Sequence, residues 1–415
     1  MPGGHHAMDD HARLEALLAD TGGAAYVCDL DRLGANVSRF LGAFRAVYAP
    51  TRLAYSYKTN YLPALCREAD RLGLLAEVVS GMEYEWAVLC GVPAQRIVFN
   101  GPAKTAPEIG QALADGALVN VDSLGEAQLV AGLAARLDGP ARVGIRCNLD
   151  LDWHGRSSRF GIAQAGGDLA RAWQVLTAVP NLRIEGLHCH TSFDRSAPSY
   201  RRRAERMVAL AARLFEREAP RFIDIGGGFS GPMPPELAAQ FDAPPPSPED
   251  YAGAVGEVMA RAFGPSGGPE LWLEPGVALV GDVLSYVCRV EQVKTVAGRR
   301  VAVASGASHD IRIVPNRYNP PLRVVRRAGA GGDGLPAPLD LVGHTCLEHD
   351  VIVRDGAQAL APGDIVVLSN VGAYSMVVSP NFIRTSPPVV AWRDGGWQFL
   401  RRRLSARELM AQFPA

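Results

Sequence analysis

The 415-residue chain is 48% hydrophobic and 20% charged, which excludes a disordered protein and supplies apolar material for more than one small core. Its formal net charge of −1 provides no field to attract nucleic acid or an anionic membrane, so a small-molecule partner is expected. No basic segment leads into an apolar core near the N-terminus, no apolar run could span a bilayer, and the seven scattered cysteines form no C-x-x-C pair; a cytoplasmic protein is the reading.

In chain order the first predicted element is a short strand, Ala24 to Cys28. From about residue 30 to 285 a single rhythm repeats: a β-rich apolar run, a turn, then an Ala/Leu/Arg-rich stretch of helical period. The predicted strands are Leu53 to Tyr57, Leu75 to Val79, Ile97 to Phe99, Leu118 to Val121, Arg142 to Cys147, Ile184 to His188, Phe222 to Ile225 and Leu271 to Leu273. Tyr61 to Leu72, Met82 to Cys90, Ala106 to Ala114, Leu124 to Arg136, Leu169 to Ala178 and Tyr200 to Arg217 are predicted helices. Eight such strands imply a (β/α)8 barrel with its active site at the carboxyl ends of the strands. Beyond Gly281 come short β-type runs: Val283 to Val290, Arg300 to Val303, Leu339 to Val342, Ile365 to Leu368, Val389 to Trp392 and Trp397 to Arg401. The expected division is a barrel over residues 30–282 and a β-rich barrel or sandwich domain from residues 1–29 and 283–415. Gly231 to Pro248 and Ala328 to Pro338 read as long surface loops, since they lack a hydrophobic pattern.

Lysine occurs only at positions 58, 104 and 294. Lys58, in Ala54-Tyr-Ser-Tyr-Lys-Thr-Asn60, closes the first predicted barrel strand, where desolvation could lower its pKa enough for attack on a carbonyl; the alternative is a solvated surface lysine. Asp224-Ile-Gly-Gly-Gly-Phe229 ends a late strand in bare backbone N–H groups, suited to a phosphate or to a tight turn. Glu274, in Glu-Pro-Gly276, ends the last strand either as a functional carboxylate or as a cap or ion-pair partner. His188-Cys-His190 ends the sixth strand, where residues i and i+2 share a face. It is either a metal pair or one ring stacked on an aromatic cofactor beside a structural histidine; without matching ligands at other strand ends, stacking is favoured and no metal is expected.

The ordered set Tyr-Ser-Tyr-Lys58-Thr-Asn, Glu77-Val-Val-Ser-Gly-Met-Glu83, Asn120-Val-Asp-Ser123, Arg146-Cys-Asn148, Ser158-Arg-Phe-Gly-Ile162, Gly186-Leu-His-Cys-His190, Asp224-Ile-Gly-Gly-Gly228, Glu274-Pro-Gly276, Cys346 and Gly372-Ala-Tyr374 resembles the fold-type III pyridoxal 5'-phosphate (PLP) decarboxylases. That family includes diaminopimelate, ornithine and arginine decarboxylases, and the diaminopimelate pattern is the nearest. The resemblance extends from about Ala24 to Phe382 and implies an alanine-racemase-like barrel plus a β-domain. It makes Lys58 the Schiff-base lysine and His190 the ring stacked on the cofactor. Gly226, Gly227, Gly228 and Tyr374 would hold the phosphate, Glu274 the pyridine nitrogen, and Arg146 would support the cofactor. Cys346 matches the family's cysteine that reaches the neighbouring subunit's site, so a homodimer with shared sites is implied.

Departures from the pattern concern the phosphate and the substrate. Thr191-Ser-Phe193 follows His190 where the family has Gly-Ser one residue on, and Val277 replaces the arginine after Glu-Pro-Gly. Arg312-Ile-Val-Pro-Asn316 and Cys346-Leu-Glu348 stand where diaminopimelate decarboxylases carry Arg-Pro-x-Leu-Tyr and Cys-Glu-Ser. The expected activity is removal of an amino acid's α-carboxylate, with Lys58, His190 and Cys346 as catalytic groups. Recognition of the far end of the substrate is expected from the loop Ser305 to Leu322, with His309, Arg312, Arg317 and Tyr318, and from Glu348. That substrate is expected to be specialised, either free or carrier-attached. The rival readings are an amino-acid racemase on the same fold, a metal-dependent barrel hydrolase using His188 and His190, and a PLP-binding regulatory protein without turnover.

Overall fold

The computed structural model describes residues 8–149, 151, 157–216, 218–311, 318–327 and 338–414. The chain divides into two compact units, Gly34–Ser230 with Pro245–Leu279, and Met1–Leu33 with Gly231–Pro244 and Val280–Ala415. After strand β1 (Ala24–Cys28) come β2 (Thr51–Ser56), β3 (Leu75–Val78), β4 (Ile97–Phe99), β5 (Leu118–Val121), β6 (Ala141–Asn148), β7 (Ile162–Ala163), β8 (Leu182–His188), β9 (Phe222–Asp224) and β10 (Glu270–Leu273).

Strands β2, β3, β4, β5, β6, β8, β9 and β10 pair in parallel, and the β5–β6 pairing closes them into a barrel of eight, with β7 added beside β6. Each predicted barrel strand is present, shifted by at most two residues at an end. Ala54, Leu75, Val98, Leu118, Phe222 and Trp272 form an apolar cluster in this sheet, and the last two rings stack at 4.0 Å. A side chain at Gly186 would run into the Phe222 ring, so the bare backbone of β8 makes room for that stack.

The predicted helices also form, and three of the strand-to-helix turns are locked locally. Ser80 with Glu83, Thr105 with Glu108 and Ser123 with Glu126 are S/T-x-x-E starts in which the hydroxyl accepts from the third helical N–H. Each glutamate reaches back to a backbone N–H, that of Val79 at 2.8 Å, Thr105 at 2.7 Å and Asp122 at 2.6 Å. The chain therefore leaves β3, β4 and β5 at fixed angles, which fixes the residues at their carboxyl ends. The helices Leu30–Val47 and Pro248–Phe263 were not among the predicted elements. The first buries Val37, Phe40 and Phe44 at helical spacing, and Phe40 and Phe44 pack edge-on against Phe229, just past the glycine run.

In the second unit β1 lies between β11 (Leu284–Val296), antiparallel, and β17 (Val389–Arg393), parallel. The remaining strands are β12 (Arg299–Ala304), β13 (Leu322–Val325), β14 (Leu339–Val342), β15 (Val351–Gly356), β16 (Ile365–Leu368) and β18 (Gly396–Arg401). They form one branched sheet, β15-β14-β12-β11-β1-β17-β18, with β16 joining β11 to β13. Strands β13 and β15 went unpredicted, and the sequence expectation that Gly231 to Pro248 holds no element is corrected by a short helix, Pro235–Ala238. Proline at the first helical position supplies the φ that starts that turn. Most of the other expected loop, residues 328–337, lies outside the described residues. Among the described residues no helix is long and apolar enough to cross a membrane.

Candidate active site

One polar layer sits at the carboxyl ends of the barrel strands. Register pairs Ser56 with Glu77, and Arg146 with His188 and His188 with Asp224; Asn100 and Glu274 directly follow β4 and β10. Glu77, Asn100, Arg146, His188, Asp224 and Glu274 are all buried. That concentration of polar groups at one end of an otherwise apolar barrel marks the site.

Lys58 begins from a single turn of 3-10 helix that follows β2, and its Nζ donates to Glu77 Oε2 at 2.5 Å and Ser56 Oγ at 2.7 Å. The Lys58 side chain is 33% exposed while Glu77 is 1% exposed, so a reachable amine stands on a sealed carboxylate. The surface-lysine alternative does not describe this geometry.

Glu274 accepts from Asn100 Nδ2 at 2.5 Å and lies 3.4 Å from His188 Nε2. Burial alone would raise its pKa, but His188 and Lys58 outweigh burial and hold the carboxyl well below the usual carboxylate range. Asp224, buried beside Glu274, is driven the other way, its carboxyl pushed well above the usual range by desolvation and by the Glu274 charge. Asp224 Oδ1 accepts from the Gly226 N–H at 2.7 Å, and Oδ2 has no hydrogen-bond partner among the described residues.

His188 and His190 do not form a pair. Strand β8 ends at His188, so the alternation that would put both rings on one face stops there. His190 Nδ1 accepts from the Gly227 N–H at 3.0 Å, and burial keeps its ring neutral, well below the ordinary histidine pKa. His188 instead groups with Asp224 and Glu274, whose ligand-type atoms lie within 4.8 Å of one another. The hydrolase reading, which needed both histidines as ligands, has no such arrangement among the described residues.

The glycine run is tightly constrained. Gly226 has φ +76°, and a Cβ there would meet the Cys189 carbonyl and the His190 ring. Two of the three amides are already engaged, Gly226 with Asp224 and Gly227 with His190, so the run positions the histidine as well as a turn. Arg146 Nη1 pairs with Asp122 Oδ1 at 2.8 Å and its guanidinium lies 4.7 Å from the Phe160 ring centre.

The other expected residues belong to the second unit. Cys346 is exposed in a loop held by Asp350, which accepts from Thr345 Oγ1 at 2.6 Å and from the Ser308 N–H at 2.7 Å. Tyr374 has φ +53°, an uncommon conformation for a bulky side chain and the type of local strain that collects at binding sites. Tyr318 stacks on Phe241 at 4.4 Å, and Glu348 is exposed. His309 Nε2 lies 3.7 Å from Asp310 Oδ1. Arg312 and Arg317 lie outside the described residues.

Glu77, Asn100 and Asp224 were given no role in the sequence reading, although Glu77 and Asp224 stood in quoted motifs. Their shared signal was position: each is a polar residue at or just past the end of an apolar barrel strand. The residues present fit PLP. A reachable lysine, an ionised buried carboxylate, a neutral imidazole and a glycine turn with no room for side chains are the donor set that an aldehyde, a pyridine ring and a phosphate require.

Residues 34–281 match the family model described as pyridoxal-dependent decarboxylase, pyridoxal binding domain. The chain is 32% identical over 390 residues to a protein named diaminopimelate decarboxylase from Actinosynnema pretiosum subsp. auranticum, covering 89% of this chain and 84% of that protein. It is 26% identical over 374 residues to the protein of that name from Aquifex aeolicus, covering 87% of this chain and 85% of that one. The solved structure of diaminopimelate decarboxylase from M. jannaschii superposes with a TM-score of 0.85 over 97% of this chain and 94% of that one, at 24% identity, a likeness of fold.

Proposed function

The chain belongs to the fold-type III pyridoxal-dependent decarboxylases, and from that premise we propose that it removes the α-carboxylate of an amino acid at the barrel mouth, with Lys58 as the point of cofactor attachment. The observation that carries this assignment is the half-reachable Lys58 amine set against buried Glu77, in the same polar layer as an ionised Glu274. When bound, PLP supplies an electron sink for the pair of electrons left behind as carbon dioxide departs.

The remaining work falls to this chain's side chains. Glu77 and Ser56 orient the Lys58 amine, and Glu77 is placed to take its proton so that the nitrogen can attack a carbonyl. Glu274 would hold the ring nitrogen and favour its protonated form. His190 would cover the ring with a neutral imidazole, and the Gly227 N–H sets the position of that imidazole. Gly228 would hold the phosphate together with whatever Gly226 and Gly227 contribute beyond their internal bonds, Tyr374 is the further candidate that the family resemblance adds, and the Arg146–Asp122 pair braces the wall beside His190. Cys346, reaching in from the neighbouring subunit, or Lys58 would return a proton to the α-carbon. The functional boundaries in this proposal remain 30–282 for the barrel, and 1–29 with 283–415 for the β-rich domain, in a cytoplasmic homodimer that shares its sites.

A carboxylate at the ring nitrogen favours decarboxylation over racemisation, because alanine racemases place an arginine there and weaken the sink. The diaminopimelate decarboxylases among the relatives suggest a substrate of that kind. Cys346-Leu-Glu348 differs from their pattern where the far end of the substrate would bind, and this supports a divergent amino acid, free or carrier-attached. Glu348, Arg312, Arg317 and Tyr318 are the candidates for recognising it.

The test is carbon dioxide release by the PLP-loaded protein from a panel of amino acids that includes meso-diaminopimelate, ornithine, lysine and arginine. Lys58→Ala is expected to abolish release and the visible band of the lysine-bound cofactor together. A Lys58→Ala variant that keeps both would overturn the assignment.

A further inference from the structure

Glu77 and Glu274 come from opposite ends of the barrel sequence, yet a single buried side chain touches both. Asn100 Nδ2 lies 3.0 Å from Glu77 Oε1 and 2.5 Å from Glu274 Oε1, bonds that bridge 23 and 174 residues of chain. Its Oδ1 accepts from Asn120 Nδ2 at 2.7 Å. The orientation of the amide follows from chemistry: an ionised carboxylate offers only lone pairs, so the nitrogen must face the two glutamates and the oxygen the Asn120 donor. Asn100 is 3% exposed, so water does not substitute for these bonds. Its own N–H donates to Val78 O at 2.8 Å, and Gly101 turns the chain sharply with φ +106°, where a Cβ would strike the Val79 carbonyl. The backbone on both sides of the amide is therefore held.

We propose that Asn100 is a positioning residue that links, through the two hydrogens of one amide, the carboxylate behind Lys58 to the carboxylate assigned to the cofactor's ring nitrogen. This inference rests on the functional reading above. Asn100 acts through the two glutamates: it sets the separation of the two carboxylates, and it does so without adding charge. Aspartate would bring a third carboxylate against two, and leucine would leave both glutamates short of a donor.

The charged and titratable groups facing Glu274 are His188, Lys58, His190 and Asp224, while Glu83 adds its charge toward Lys58 and Glu77. Arg146, paired with Asp122, and Lys104, paired with Glu126, lie farther round the same layer. A hydrogen bond donated to an ionised carboxylate favours that form, so losing it raises the pKa. Glu274 starts well below the usual carboxylate range and stays ionised at working pH, so the loss of Asn100 is read in cofactor affinity and in the visible band.

The experiment measures, at one neutral pH, the PLP dissociation constant by equilibrium dialysis, the position of the visible band, and kcat and KM, for wild type, Asn100→Leu and the isosteric Asn100→Asp. Asn100→Leu is expected to weaken PLP binding about tenfold, to move the visible band and to lower kcat with KM little changed, and Asn100→Asp to do so further. The aspartate variant carries the test if the leucine variant does not fold. A lowered melting temperature with the dissociation constant, the band and kcat unmoved would show a merely structural role and overturn the proposal. Failure of the functional reading looks different: Lys58→Ala would retain the visible cofactor band, whereas a wrong inference about Asn100 leaves that control intact.

Discussion

Two buried carboxylate networks, one in each unit, have opposite characters. In the barrel, Glu77 faces the Lys58 amine and Glu274 faces His188, and the Lys58 side chain remains one-third exposed. In the β-rich unit, Asp310 is met by hydroxyls: Tyr286 Oη donates to Oδ2 and Ser379 Oγ to Oδ1, both at 2.7 Å, and Tyr26 Oη donates to its backbone carbonyl. Burial and the Asp310 charge push the Tyr26 and Tyr286 phenols well above their ordinary pKa, so they remain donors at any physiological pH. Burial of polar groups is common to both networks and does not distinguish chemistry from scaffolding. The distinguishing feature is a titratable group that a small molecule can still reach.

The contrast breaks most clearly on Glu274. Glu274→Gln keeps the shape but removes the charge that favours a protonated ring nitrogen, so kcat should fall on the order of a thousand-fold, about 4 kcal/mol of barrier. The denaturation midpoint of the cofactor-free protein should change little, because the amide still accepts from Asn100. A midpoint loss that accounts for the missing activity would place Glu274 with Asp310 as scaffolding. Asp310→Ala is the mirror test. Removing it leaves the Tyr286 and Ser379 hydroxyls without their acceptor and opens a small void, with a stability loss of about 3 kcal/mol. Activity per folded molecule should be retained; measuring kcat by active-site titration separates the two effects.

The sequence revealed this difference only in part. Barrel strands were legible because each is a short apolar run set off by turns, and Lys58, Asp224 and Glu274 could be seen at strand ends for the same reason. The partners of those residues were not legible: nothing local in Phe99-Asn100-Gly101 says that its amide meets a glutamate 174 residues away. The helix Leu30–Val47 was missed because glycine and serine interrupt its pattern, although Val37, Phe40 and Phe44 pack on one face. The shared face of His188 and His190 could not be relied on from sequence, because period-two alternation holds only inside a strand and β8 ends at His188. In the β-rich unit, β13 and β15 were hidden by arginine and aspartate at exposed positions, as sheet-edge register allows.

The smallest test compares one hydroxyl from each network. Tyr286→Phe removes the donor to Asp310 Oδ2 and leaves Ser379 in place, so the buried acceptor loses one of its partners and stability falls by about 1 kcal/mol. A would-be Cβ at Gly306 lies against the Tyr286 hydroxyl, which shows how closely the backbone is fitted there and why solvent does not replace the lost group. Ser56→Ala removes a donor of the same kind, 2.5 Å from Glu77 Oε2 and 2.7 Å from Lys58 Nζ. Here the partner is a three-donor ammonium with solvent access, able to turn toward Glu77 and make good the loss. Ser56→Ala should therefore shift the denaturation midpoint less than Tyr286→Phe does, while slowing attachment of PLP to Lys58 by about a few-fold, since one of the two groups that orient the amine is gone. Urea unfolding at constant slope reads the first quantity and the growth of the visible band reads the second. Equal midpoint losses with no change in attachment rate would mean that the reachable amine confers no special character on its network, and the distinction between the two units would then rest on Glu274 alone.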